Sequence, residues 1–197
     1  MRRITAISAA AAALAAILAI LPARGQTLTA NSKGPTETVC TGKPLDPSIC
    51  FGAGAQAADR VELQMFDLIN RDRTDDATLP ETRGQAHPLQ WDARLAAVAR
   101  AHSEEMMRAR YFAHEGADGS LPSDRVSRAG IQWLAVGENI AKARDVRQAR
   151  DLFMDEPKFE RNHRGNILGT EYTHVGVGIA KGPDGLIYVT EEFARLR

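Results

Sequence analysis

Two histidines and two glutamates stand out in this chain because their side chains could together hold a metal ion or move protons. Glu156 and His163 lie in one polar stretch that leads into an apolar segment near the end of the chain. Glu138 lies upstream between a glycine and an asparagine, and His114 follows a Phe-Ala pair further upstream. Two imidazoles and two carboxylates suit a borderline divalent cation such as zinc. They equally suit general acid–base chemistry, so the sequence locates a candidate site better than it defines its chemistry.

The segments that must position this four-residue cluster show helical spacing first and strand patterns last. Apolar residues at helical spacing after Val61 predict a first helix that ends before a loop over 74–88. Asp92 is a natural N-cap for a long second helix, with Leu95, Val98, Ala99, His102 and Met106 on one face. Further short helices are expected over 123–129, 146–155 and 161–168.

Two strands are expected at the end of the chain, over 174–180 and 185–193, joined by a hairpin loop that contains Gly and Pro. The segment 131–143 is expected to be irregular or a short strand. Helices followed by an antiparallel hairpin indicate an α+β fold, in which helices cover both faces of a small antiparallel sheet.

The first 25 residues are typical of a secretory signal peptide. Arg2 and Arg3 precede an uncharged stretch over 4–21 that is rich in Ala, Leu and Ile, and small residues follow Pro22. We therefore expect cleavage near Gly25 and export to the periplasm or the exterior. The alternative is an uncleaved membrane anchor, since about 18 apolar residues can just span a bilayer.

Residues 26–56 are rich in Thr, Gly, Pro and Ser, which predicts a linker that leads into a globular domain over 57–197. This lead-in carries the two cysteines of the chain, Cys40 and Cys50. In an exported protein they are expected to pair as a disulfide that closes a short loop.

The charge balance gives no sign of a nucleic-acid-binding surface. The full chain has 25 basic and 25 acidic side chains. Removal of residues 1–25 leaves 22 basic against 25 acidic side chains, a net charge of −3. Binding to nucleic acid would require clustered excess base, so a nucleic-acid partner is not expected.

Several motifs, taken in their order along the chain, resemble the CAP superfamily, which comprises secreted cysteine-rich, antigen 5 and pathogenesis-related-1 proteins. The likeness is to its bacterial, cysteine-poor branch and covers roughly residues 60–195. It implies an α-β-α sandwich with a central cleft. The motifs are Leu89-Gln-Trp-Asp92, Phe112-Ala-His114, Gly137-Glu-Asn-Ile-Ala141, His163-Arg-Gly-Asn-Ile-Leu168 and Val175-Gly-Val-Gly178.

In many members of that superfamily two His and two Glu line the cleft, and the resemblance maps them onto His114, Glu138, Glu156 and His163. An apparent insertion separates Glu156 from His163, and Phe153 stands where the family usually has Trp. By its place on the apolar helix face, His102 is interpreted as a hydrogen-bonded core residue outside the site.

Three functions are compatible with these residues. The first is a secreted binding or interaction protein whose cleft could hold Zn²⁺ or another divalent cation, with a partner in the envelope or outside the cell. The second is a metal-assisted envelope hydrolase in which one Glu acts as base on a metal-bound water. The third is a lipid or sterol binder, which needs an apolar groove that the sequence does not identify. Contact with a membrane is expected only through an uncleaved signal segment or through lipid binding.

Overall fold

The computed structural model describes residues 58–197, which form six helices and four strands. The expected signal peptide, the lead-in over 26–56 and the Cys40–Cys50 disulfide lie outside these residues and stay predictions. The helices are α1 (Arg60–Thr74), α2 (Leu79–Thr82), α3 (Ala93–Ala109), α4 (Pro122–Arg128), α5 (Val146–Met154) and α6 (His163–Leu168). The strands are β1 (Gln90–Trp91), β2 (Trp133–Ala143), β3 (His174–Lys181) and β4 (Ile187–Leu196).

The four strands form one sheet in the order β1-β3-β4-β2. Its pairs are antiparallel, as expected, except for the two-residue parallel pair of β1 with β3. The segment expected to be irregular or a short strand is the 11-residue strand β2, which pairs with β4 as far as Ala143 opposite Ile187. Its Gly, Glu and Asn residues are poor strand formers, so pairing with β4 overrides their local preference.

Helices cover both faces of the sheet, which confirms the α+β class and the α-β-α sandwich. One apolar core joins α1, α5 and α6 to the sheet through Met65, Phe153, Ile167 and Val177. On the opposite face, α3 and α4 contribute residues such as Leu95 and Val126 to a second core. Within residues 58–197, no helix is both long and apolar enough to cross a membrane.

Helix α3 lies unusually close to β3 because that strand presents glycines to it. A Cβ atom placed on Gly176 would lie 2.0 Å from the backbone nitrogen of Ala96. One placed on Gly178 would lie 2.0 Å from that of Arg100. The Val-Gly-Val-Gly motif therefore allows the helix backbone to rest directly on the strand.

The helix starts follow local capping signals. The side chain of Asp92 accepts hydrogen bonds from the first turn of α3, as predicted, and Asp145 does the same for α5. Helix α6 begins at His163, two residues later than expected, because Asn162 caps it by accepting from Gly165 N at 2.8 Å. Helix α2 lies inside the segment expected to be a loop, and its four residues are too few to show an apolar period.

Beyond its two-residue pairing with β1, the outer edge of β3 is covered by an ion pair between α3 and α1. Arg100 of α3 donates two hydrogen bonds of 2.6 Å to Glu62 of α1, and Glu62 also accepts from Ile179 N at 3.4 Å. Glu62 is at the same time the N3 residue of the capping box of α1. This covers one edge of the sheet, whereas the opposite edge, β2, borders the candidate site.

Candidate functional site

The first half of the site is a pair formed by His114 and Glu138. His114 follows α3 in an irregular segment, and Glu138 lies in the middle of β2. The Nδ1 atom of His114 lies 2.7 Å from Oε1 of Glu138. The Glu138 side chain is 1% exposed and the His114 side chain 48% exposed. The imidazole therefore reaches solvent while a buried carboxylate sets its orientation.

The second half repeats this arrangement with His163 and Glu156. Glu156 follows the end of α5, and His163 is the first residue of α6. Oε1 of Glu156 lies 2.7 Å from Nδ1 of His163, and Oε2 accepts from the His163 backbone N–H, also at 2.7 Å. The intervening insertion closes on itself, since the Asn162 side chain donates to Pro157 O at 2.9 Å. It therefore keeps Glu156 facing His163.

The two pairs meet across one cleft, so the structure brings together all four residues predicted from the sequence. The imidazole rings of His114 and His163 are stacked, with centroids 6.0 Å apart and planes 27° apart. The ring of Phe153 packs against His163 at 5.1 Å. The cleft has a volume of 390 Å³. Its walls also include Arg161, Asn166, Glu171 and Tyr172.

The donor atoms left in this cleft suit a metal ion held by the two imidazoles. An ionised carboxylate only accepts hydrogen bonds, so Nδ1 is the donor in each pair, and the neutral form of each imidazole has its lone pair on Nε2. Zn–N bonds are about 2.0–2.1 Å long, so one zinc ion held by both rings requires their two Nε2 atoms to lie within about 4 Å of each other. Carboxylates bonded to Nδ1 are the usual outer partners of metal-binding histidines.

The carboxylates of the four-residue cluster are thus committed to the imidazoles. Among residues 58–197, no group of three or more His, Cys, Asp or Glu side chains converges as a ready metal site. A cation bound here would have two protein ligands and would complete its coordination with water or with a bound molecule.

Arg125 and His102 hold the segment that carries His114. Arg125 donates to the backbone oxygens of His114 (3.0 Å) and Ser120 (2.9 Å), and its Nη2 lies 2.5 Å from Oε2 of Glu138. The buried His102 lies with Nε2 3.0 Å from Ala113 O, as predicted for a hydrogen-bonded core residue. Burial lowers the pKa of His102 and keeps the ring neutral.

An amide network ties α6 to β2 and so positions His163. The side chain of Asn139 donates to His163 O at 3.0 Å and to Glu191 Oε2 at 2.9 Å. The side chain of Asn166 donates to Glu138 O at 3.1 Å and to Asn139 Oδ1 at 2.9 Å. These contacts link the two halves of the site through the backbone of β2.

Arg164 is a bidentate partner of a carboxylate. Its guanidinium binds both oxygens of Glu81 in α2, with one contact of 2.9 Å, and donates to Met154 O at the end of α5. Because Arg164 directly follows His163, this pairing fixes the start of α6 against two other helices.

Two buried carboxyl groups behind the site, Glu191 and Glu192 of β4, were not among the residues predicted from the sequence. Both are 0% exposed and point to opposite faces of the sheet. Burial raises the pKa of Glu191 to about 8. Burial and the Glu138 carboxylate raise the pKa of Glu192 well above its ordinary value. The available signal was two consecutive acids inside a strand that otherwise reads as apolar.

Comparison with known proteins places the chain among relatives with the same architecture. The family model described as "Cysteine-rich secretory protein family", or CAP, matches residues 66–193, well over half of the chain. The uncharacterised protein YkwD of Bacillus subtilis (strain 168) is 37% identical over 92 residues. Those residues are 46% of this chain and 34% of that protein. The uncharacterised membrane protein YlbC of the same organism is 32% identical over 108 residues, 54% of this chain and 29% of that protein.

Solved structures give the same picture. An extracellular protein containing an SCP domain from Bacillus anthracis str. Ames has a TM-score of 0.55 and 29% identity. The match covers 68% of this chain and 40% of that one. An outer surface protein from Borrelia burgdorferi has a TM-score of 0.56 at 14% identity, over 68% of this chain and 94% of that one, which supports the fold alone. The chain belongs to the CAP family, the cysteine-rich secretory proteins.

Proposed function

We propose that this CAP-domain protein is an exported binding protein whose cleft holds one divalent cation on the Nε2 atoms of His114 and His163. One observation carries the proposal: two stacked imidazoles lie 6.0 Å apart, and each has its Nδ1 fixed by a carboxylate. Such pairing sets the tautomer, orients the ring and raises the basicity of the free nitrogen.

Zinc is the cation that this donor set fits best. Imidazole nitrogen is a favourable ligand for zinc, which accepts four-coordinate geometry with water or ligand atoms in the remaining positions. The carboxylates of Glu138 and Glu156 lie behind the two rings and offset the positive charge of the ion. Two open coordination positions would let the ion bind a donor group from a partner molecule.

Export is proposed on the pattern of residues 1–25, which have a basic start and an uncharged apolar stretch. It is supported by the likeness to a solved Bacillus anthracis protein that is described as extracellular. The periplasm and the cell exterior both suit a domain whose site lies in an open cleft.

Binding is favoured over hydrolysis and over lipid uptake by the walls of the cleft. Glu138 and Glu156 are both bonded to imidazole Nδ1 atoms, so neither is free to deprotonate a metal-bound water. Ser103 is buried and bonds Gly178 O and Thr190 Oγ1, which leaves its hydroxyl no role as a nucleophile. Arg161, Glu171 and the four-residue cluster make the cleft polar, unlike an apolar lipid groove.

Isothermal titration with zinc, together with elemental analysis of the purified protein, tests the proposal. His114→Ala and His163→Ala should each abolish uptake of one equivalent of zinc. His87→Ala is the matched control, because His87 is exposed and lies outside the cleft. Uptake that survives in both cleft variants, or that the control also loses, would show that zinc binds elsewhere.

A further inference from the structure

Strand β2 forms an edge of the sheet, and its first half lines the cleft. It pairs with β4 on one side and with no strand on the other within the described part of the chain. Val136, Gly137 and Glu138 contribute to the cleft wall. The cleft therefore contains a stretch of strand backbone beside the two imidazoles.

The direction of the backbone groups along this stretch follows from the contacts of β4 and α6. In an antiparallel sheet, successive residues of a strand direct their N–H and C=O groups to alternate sides. Ala194 O accepts from Thr173 N, which precedes β3, so the Ala194 backbone faces away from β2. Glu192 lies two residues before Ala194 in β4, so its backbone faces the same way. Val136 lies opposite Ala194, and Glu138 lies opposite Glu192. Val136 and Glu138 therefore direct their backbone groups away from β4.

An independent contact supports this direction. Glu138 O accepts the side chain of Asn166, which belongs to α6 and lies on the far side of β2 from β4. With that oxygen taken, three outward groups remain: Val136 N–H, Val136 C=O and Glu138 N–H. Over residues 58–197, none of the three has a hydrogen-bond partner. We call this stretch, residues 136–138, the open edge.

The order of donors and acceptors on the open edge matches an extended polypeptide. The Val136 C=O and the Glu138 N–H flank Gly137, so one residue of an adjacent strand could donate to the first and accept from the second. Unpaired edge groups of this kind are templates for an added strand. Sugars and lipids do not carry alternating N–H and C=O groups at strand spacing.

We propose that the open edge binds an extended segment of a partner protein by strand addition, in the same cleft as the His114–His163 pair. The added strand would run about 4.8 Å from β2. Because Glu138 also holds His114, such a segment passes directly beside the proposed cation. The proposal rests on the proposed function only in taking this cleft as the binding site. The equivalent edge of β3 is unsuited, since Glu62 already occupies it.

The test compares Val136→Pro with Val136→Ala. Proline removes the outward N–H of residue 136 and places its ring at the open edge. The pairing of β2 with β4 loses no hydrogen bond, because the Val136 N–H points away from β4. Alanine keeps the backbone N–H and, like proline, lacks the two branched methyl groups of valine. Fluorescence polarisation with a library of end-blocked nine-residue peptides, in the presence of zinc, supplies the best-binding probe. Val136→Pro should weaken that peptide by about tenfold or more relative to Val136→Ala.

Two measurements keep the test independent of how well the proline variant folds. In the unaltered protein, hydrogen exchange should be fast at the Val136 and Glu138 amides and slow at Gly137, and the peptide should slow both fast amides. N-methylation of the probe, scanned along its backbone, should abolish binding at the position that donates to Val136 O.

The outcomes separate the two proposals. Any of three results would overturn strand addition. They are that no peptide binds, that both Val136 variants have native circular dichroism spectra and bind the peptide equally well, or that the Val136 and Glu138 amides exchange slowly before peptide is added. Zinc uptake that persists in those cases leaves the cation site standing. Peptide binding without any zinc uptake would overturn the cation site alone.

Discussion

Glu138 and Glu192 lie opposite each other on β2 and β4 with both carboxyl groups buried. Although burial alone would raise the pKa of Glu138, the hydrogen bond from His114 and the charge of Arg125 lower it below its ordinary value. Burial and the adjacent Glu138 charge raise the pKa of Glu192 instead. Glu138 is therefore the member of the pair that favours the ionised form, as the partner of His114, and Glu192 is the member that favours the protonated form.

Replacement of Glu192 by glutamine should preserve this division of charge. Glutamine has nearly the same shape as the protonated acid and cannot ionise, so zinc affinity should stay within about twofold of the unaltered protein. The raised pKa of Glu192 stabilises the fold below pH about 4.5, and that contribution is lost as pH rises through the folded-state pKa. The free energy of unfolding, measured with urea, should therefore fall less between pH 5 and pH 8 in Glu192→Gln than in the unaltered protein. An equal loss in both proteins would show that Glu192 is already ionised in the fold and would contradict its raised pKa.

Glu191 should contribute a separate dependence of stability on pH. Its pKa of about 8 in the folded state exceeds the ordinary value of 4.5, because the side chain is buried. Between these values the unfolded chain has released a proton that the folded protein keeps, so stability falls by up to about 1.4 kcal/mol per pH unit. Glu191→Gln keeps an oxygen that can accept from Asn139 and should reduce this slope in urea unfolding measured from pH 4.5 to 8. A slope unchanged by the substitution would show that Glu191 is ionised in the fold.

Arg125→Met should destabilise the domain and weaken zinc binding together. The substitution leaves Glu138 ionised and buried without its guanidinium partner, and loss of one partner of a buried pair costs about 3–5 kcal/mol. It also frees the backbone of His114, so zinc affinity should fall by about 10–100-fold, as for other outer partners of metal ligands. Arg125→Lys keeps the charge and should recover part of both losses. Calorimetric zinc titration of samples that are at least 90% folded by circular dichroism separates the two effects.

How far the sequence predicts this fold depends on whether a signal is local. The starts of α3 and α5 were predictable because Asp92 and Asp145 cap them within three residues. For strand β2 the sequence left open an irregular segment or a short strand, because Gly137, Glu138 and Asn139 are poor strand formers and the full strand depends on pairing with β4 some fifty residues later. The short helix α2 carries too few residues to show a period.

The same distinction holds for the site. The four-residue cluster was predicted by resemblance, since no local pattern places His114 next to His163. That each carboxylate binds Nδ1, and so acts behind the imidazole, depends on side-chain geometry that spacing does not encode. Glu192 escaped prediction because its role follows from the strand register that sets it opposite Glu138.

Gly137→Ala offers a test of how tightly the cleft wall is packed around the open edge. A Cβ atom at Gly137 would lie 2.3 Å from the Tyr172 hydroxyl oxygen and 2.9 Å from Cζ. Either the tyrosine or the strand must shift, and overpacking of this kind costs about 1–3 kcal/mol. The Tyr172 hydroxyl also donates to Asn166 Oδ1 at 3.3 Å, so the shift should disturb the residue that binds Glu138 O.

Tyr172→Phe supplies the matched partner for a double-mutant cycle with Gly137→Ala. Loss of the hydroxyl removes the nearest clashing atom, so the double variant should be more stable than the sum of the two single losses predicts, by about 0.5–2 kcal/mol. Urea unfolding of all four proteins at pH 6 measures this coupling. Strictly additive losses would mean that β2, and not Tyr172, moves to relieve the contact. In that case the hydrogen exchange of the Val136 and Glu138 amides would change in Gly137→Ala.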